Sequence, residues 1–293
     1  MLSHAGSPTR VSAVRYSPCG RWLAAAGDIG VVVWEAGRPD HPHHHLGGNP
    51  AVEAAFPGRY LLVARLAGGG AYLDRLRTDF EGFPDPYPIR LGPADCLDAA
   101  DGRLLIGRPG VIGCRTVPDG EGWADGWQLA LRPNARPWRA ALLPDGGVVA
   151  VEGLHWSGRW SDFNLVRWDV DGSPVARVRL PTAAPRQLAV GGGRLVVNRG
   201  RAVLVWPLAR LADRPRKLTR GFRFAADTAV HPNGDTALLA DTAGLLTRLD
   251  LGTGTVRASY AVPGKPVAVA VSPDGLTAAV CTAAGAVIAY DLD

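Results

Sequence analysis

The sequence predicts an all-β protein: a single domain over residues 1–293, folded as a seven-bladed β-propeller of four-stranded antiparallel blades, with the N-terminal segment closing the last blade. Two observations lead there. A short pattern recurs seven times: an apolar strand, a Pro/Asp/Gly turn, a second strand, a small-residue turn and a third strand, clearest in "PVAVAVSPDGLTAAVCTAAGAVIAYDLD" (266–293). The pattern also keeps a period. Third strands end at Trp34, Leu73, Arg115, Trp168, Trp206, Leu249 and Tyr290, which lie 39, 42, 53, 38, 43 and 41 residues apart. A repeat near forty residues with four strands per unit is the length of a propeller blade.

The first-to-second strand turns set the register: "SPCGR" (17–21), "FPGR" (56–59), "ADGR" (100–103), "LPDGG" (143–147), "GGGR" (191–194), "HPNGD" (231–235) and "SPDGL" (272–276). Glycine supplies the positive φ of such turns and proline fixes the position before it. "VSAVRY", "AVEAA", "DCLDA", "WRAAL", "RQLAV", "DTAVH" and "VAVAV" precede them as first strands, and "WLAAA", "YLLVA", "RLLIG", "VVAVE", "RLVVN", "TALLA" and "TAAVC" follow as second strands. Runs of small and apolar residues suit strands covered on both faces by neighbouring blades. The long step into blade four comes from insertions around 118–136 and 154–163, and the outer fourth strands ("HHHLG", "YPIRLG", "WQLAL", "VARVRL", "RASYAV") are less regular. "VIAYDLD" completes only a third strand, so residues 1–9 are placed to supply the missing outer strand of blade seven and cover its edge.

"VSAVRYSPCGRWLAAAGDIGVVVW" (11–34), with Asp28 six residues before Trp34, resembles a WD repeat. "NLVRWDV" (164–170) carries Trp168–Asp169 with Asp162 six residues before Trp168, and "LTRLDLGTG" and "VIAYDLD" are decayed versions at Leu249–Asp250 and Tyr290–Asp291. The chain is thus similar to divergent WD-repeat (WD40-like) propellers over nearly its whole length, most closely in blades one, six and seven. The Gly-His before each blade is missing apart from His4, which removes the Asp–His–Ser–Trp hydrogen-bond network of that family. The resemblance implies a propeller fold and a docking role.

Only Lys217 and Lys265 are lysines among 32 basic residues; the arginine bias is that of a GC-rich, bacterial genome. A net charge of +5 favours acidic partners mildly and is too small to imply nucleic acid. Cys19, Cys96, Cys114 and Cys281 form no CxxC or close pair, and the first residues lack a signal-peptide core, so the expected compartment is the cytoplasm, with no membrane contact.

Candidate chemistry is sparse. "HPHHH" (41–45) offers His41, His43, His44 and His45, but without a matching Cys, Asp or Glu beyond Asp40 it reads as a solvated outer strand, and no metal is assigned. "LARLADRPRKLTRGFR" (208–223) reads as an outer strand and loop of blade five whose charges and Pro215 blunt an edge. An enzyme would need polar groups converging on the central channel. On the innermost strands Arg15, Glu53, Asp95, Asp98 and Asp227 are the exceptions to a run of Val, Ala and Leu, and their spacing matches no ligand or triad pattern. No catalytic residue or cofactor is therefore assigned. The turns between second and third strands should share one end of the propeller. They carry Arg65, Arg108, Trp156, Arg159, Trp160, Arg199 and Arg201 in blades two to five, against Asp28, Asp241 and Thr282 in the others. Tryptophan and arginine are interface hot-spot residues. The sequence-based expectation is a monomeric, non-enzymatic scaffold that docks an acidic protein surface on that arc. A nucleic-acid or phospho-ligand binder using the same arginines is the alternative, and a propeller enzyme with a channel site is another.

Overall fold

Strands form here where runs of Val, Ala and Leu lie between turns that the backbone enforces. In the first turn of blade one the Ser17 hydroxyl accepts the Trp22 amide at 3.0 Å and Gly20 adopts φ +74°. Blade seven repeats the device: Ser272 Oγ accepts the Thr277 amide at 2.9 Å beside Gly275 at φ +78°. A residue with a Cβ would be strained at either glycine.

The computed structural model describes residues 2–3, 11–28, 30–38, 44–46, 50–56, 60–67, 70–77, 89–92, 96–100, 102–116, 126–157, 159–181, 185–219 and 224–292. Among these the strands form seven four-stranded sheets, six of them from strands consecutive in sequence. The innermost strands are Val11–Tyr16, Ala51–Ala55, Cys96–Ala100, Ala135–Leu142, Gln187–Gly191, Ala225–Val230 and Pro266–Val271. Each packs against the next, and Pro266–Val271 packs against Val11–Tyr16, so the seven blades close into a ring around a central channel. The seventh sheet takes its outer strand from the other end of the chain, where Leu2 pairs with Ala289 and Ser3 with Ile288. Among the described residues that closure is two residues long.

The core lies between blades. One cluster joins blades one and two (Trp22, Val33, Leu61), another blades four and five (Val149, Leu165, Trp206), and another blades seven and one (Trp34, Ala279, Val287). Trp34 and Trp206, each one residue from the end of its third strand (Gly30–Glu35 and Val203–Pro207), are fully buried there. Blades five and six meet even more closely, since a Cβ on Gly192 would stand 2.0 Å from the Gly234 amide nitrogen.

Three sequence-based expectations change in detail. The all-β description is amended by a 3-10 turn at Leu208–Arg210, so the stretch 208–223 contributes an outer strand only at Arg216–Leu218; residues 220–223 lie outside the described residues. The blade-four insertion at 154–163 is no loop: it extends a hairpin of Val148–Trp156 and Arg159–Trp168, while residues 117–125 lie outside the described residues. His44–Leu46 forms the outer strand of blade one, and His41 and His43 lie outside the described residues. No helix among the described residues is long and apolar enough to cross a membrane.

Candidate active site in the central channel

Five of the innermost strands are interrupted by a register shift near their start. The shifts fall between Val11 and Ala13, Ala51 and Glu53, Pro137 and Arg139, Ala225 and Asp227, and Pro266 and Ala268. A β-bulge adds a residue to one strand and re-aims the side chain that follows it. In blades two, four and six the residue after the bulge is Glu53, Arg139 or Asp227, and all three line a cavity of about 670 Å³ along the channel. Asp98 of blade three and Gln187 of blade five line it too. Blade one has Ala13 after its bulge and places its charge two residues on, at Arg15, on the same face of the strand. Six blades thus contribute a polar side chain, and blade seven lines the cavity with Val269, Ala270 and Val271.

These groups hold one another. Arg15 Nη2 lies 3.1 Å from Glu53 Oε1, and Arg15 Nη1 donates to the Val14 carbonyl at 2.9 Å. Arg139 Nε donates to Gln187 Oε1 at 3.0 Å, and its Nη1 donates to the Trp138 carbonyl at 3.2 Å. Two aspartates tie neighbouring blades: Asp98 Oδ2 accepts the Leu142 amide at 2.8 Å, and Asp227 Oδ2 accepts the Val269 amide at 2.9 Å. Neither aspartate forms an ion pair with a described residue. Burial pushes the carboxyls of Glu53, Asp98 and Asp227 above the usual carboxylate range, with Arg15 pulling each part of the way back. A ring with two guanidiniums, an amide and three carboxyls of raised pKa can polarise a carbonyl and accept a proton from water. No group of three His, Cys, Asp or Glu among the described residues could hold a metal ion.

Sequence reading identified Arg15, Glu53, Asp98 and Asp227 as exceptions but gave them no common site. It passed over Arg139 and Gln187, which sit inside the strands "WRAAL" and "RQLAV" with nothing to mark them. Asp95 lies outside the described residues. The expected docking residues do share one end of the propeller, where the innermost strands begin: Arg65 pairs with Ala51, and Arg108 closes the hairpin with Val111. Arg159 and Arg201 are exposed, whereas Arg108, Trp160 and Arg199 are half-buried. Trp160 is not a free indole. It meets Trp138 edge-on at 4.6 Å and His155 at 4.8 Å, bracing the extended hairpin of blade four. Trp156 pairs with Arg159 at the tip of that hairpin.

No family model matches the chain. Among curated proteins it is 37% identical over 113 residues to an L-arabinolactonase of Azospirillum brasilense, which covers 38% of this chain and 36% of that protein. It is 40% identical over 50 residues to the pentonolactonase XacC of Haloferax volcanii, 17% of each chain. The chain therefore matches about a third of the first relative's length and about a sixth of the second's. Among solved structures it superposes on Kuenenia stuttgartiensis hydrazine synthase with TM-score 0.79 and 12% identity, covering 99% of this chain and 97% of that one. The β-propeller domain of Myceliophteria thermophila Cps50 (Swd1) gives TM-score 0.77 and 14% identity, covering 100% and 99%. These structures show the propeller fold. The two curated relatives are enzymes, and they overturn the expectation of a non-enzymatic scaffold.

Proposed function

We propose that this chain is a propeller hydrolase whose working site is the central channel and whose substrates are small lactones of the sugar-acid type. The observation that carries this is the convergence of Arg15, Glu53, Asp98, Arg139, Gln187 and Asp227 on one cavity. The partial similarity to two sugar lactonases supports it. Arg139, fixed by Gln187 and its own strand, polarises the lactone carbonyl and holds the negative charge that develops on its oxygen. Asp227 is the general base. Its position is set by the Val269 amide, and burial raises its pKa above the usual carboxylate range, which makes it a stronger base. Water adds to the carbonyl carbon as its proton passes to Asp227. The tetrahedral species then collapses, the ring C–O bond breaks, and the leaving alkoxide takes the proton back, giving an open hydroxy acid.

We also infer that the scaffold descends from the WD-repeat propellers, on the strength of the Asp28–Trp34 and Asp162–Trp168 spacings, and that it works in a reducing compartment, since its four cysteines are free. Hydrolysis of a lactone releases acid near neutral pH, so the test is proton release from a panel of five- and six-membered aldonolactones, corrected for spontaneous opening. The expected result is saturable acceleration with at least one member. No acceleration with any would refute the reading.

A further inference from the structure

Arg15 stands where the charges of the channel meet. It pairs with Glu53 of blade two and lies within electrostatic reach of Asp98 in blade three and Asp227 in blade six. Its Nη1 is tied to the Val14 carbonyl, so the guanidinium is held in place without Glu53. It is also the open member of its pair: 40% of the Arg15 side chain is accessible against 23% of Glu53. Beside it blade seven lines the cavity with the apolar Val269, Ala270 and Val271, and blade one adds Ala13 with the uncharged Ser12 and Tyr16. There is a fixed cation, a removable counter-ion and free room next to both.

We propose that Arg15 anchors the carboxylate of an anionic ligand, a small hydroxy acid, which takes the place of Glu53 on the guanidinium while Glu53 takes up a proton. This rests on the reading of the channel as the working site, where the hydroxy acid is the product of hydrolysis. A fork of guanidinium donors matches a carboxylate. Charge dictates the proton. The described groups facing this point are Arg15 and Tyr16 on blade one, Glu53 on blade two, Cys96 and Asp98 on blade three, Arg139 on blade four and Asp227 on blade six, with the uncharged Gln187 on blade five. Tyr16 is engaged with Thr277 Oγ1 at 3.3 Å. A fourth carboxylate would face only two guanidiniums in a partly desolvated space, so one carboxyl must become neutral. Glu53 is the one that loses its counter-ion, and burial already inclines it that way.

The test is calorimetric titration of the intact protein with gluconate, in two buffers of different ionisation enthalpy, with sorbitol as the uncharged control. We expect uptake of about one proton per gluconate and an affinity that falls by up to about tenfold per pH unit as pH rises, with no proton uptake on adding sorbitol. Glu53→Gln should bind gluconate with that proton dependence lost. Arg15→Ala should lose gluconate binding, and Arg15→Lys, which keeps the charge without the fork, should weaken it about tenfold; circular dichroism checks that each variant is folded. Gluconate that does not bind, binds without proton uptake, or binds folded Arg15→Ala as well as the unaltered protein overturns the proposal. The two readings separate cleanly. Lactone turnover without proton-linked gluconate binding leaves the hydrolase and removes the anchor, and proton-linked binding without turnover does the reverse.

Discussion

At the scale of the residue, the chain puts three carboxyls where water is scarce and uses two of them as ties. Asp98 and Asp227 each accept a backbone amide from a neighbouring blade. The tie needs an oxygen and no charge, so Asp227→Asn should change stability by less than about 1 kcal/mol, whereas Asp227→Ala strands the Val269 amide and should cost about 1–3 kcal/mol. Chemical denaturation of both variants decides it. The pH dependence has a definite sign. With carboxyls raised above their unfolded value near 4, the native state holds more protons than the unfolded one over the window between the two, so these groups make stability fall as pH rises through it. Asp250 works the other way. The Thr253 amide and Arg257 hold it at about 2, and its contribution is lost as pH falls from about 4 towards 2. Relative to the unaltered protein, the Asp98→Asn/Asp227→Asn double variant should therefore gain thermal stability as pH rises from about 4 to 8. Parallel curves over that range would contradict the shifts.

At the scale of the element, turns were legible and channel geometry was not. "SPCGR" and "SPDGL" announce their strands because a serine cap and a positive-φ glycine are local chemistry. The site is assembled from residues about forty positions apart, and bulges shift it off any fixed spacing: Arg15 sits two residues beyond the position that Glu53, Arg139 and Asp227 occupy in their strands. A periodic search finds blades and misses such a ring. The blade-four hairpin shows a similar limit, since its indoles read as docking anchors while one of them is a brace. Gly153, at the hairpin's own bulge, leaves room for it; a Cβ there would stand 2.8 Å from the Phe163 ring and 3.1 Å from Trp160. Trp160→Ala should accordingly cost about 2 kcal/mol, less than a fully buried tryptophan, while the exposed Arg159→Ala stays within about 0.5 kcal/mol. Equal effects in thermal denaturation would mean that the brace carries no stability.

At the scale of the whole molecule, the ring is held by interblade cores and shut by one short seam. Among the described residues Leu2 and Ser3 contribute a two-residue ladder to the outer edge of blade seven, an edge that is open without a partner strand. Deleting residues 2–8 should lower the thermal midpoint by several degrees, at about 2–4 °C per kcal/mol for a chain of this size, and an unchanged midpoint would show the seam to be dispensable. Closing the ring is also what brings six blades to one cavity, so fold and proposed chemistry stand on the same geometry. The most direct test of that link is kcat/KM for lactone opening by Asp227→Asn against the unaltered protein. The account predicts a loss of about a hundredfold or more with the thermal midpoint retained. Turnover that survives the substitution in a folded protein would contradict it and place the chemistry outside the channel.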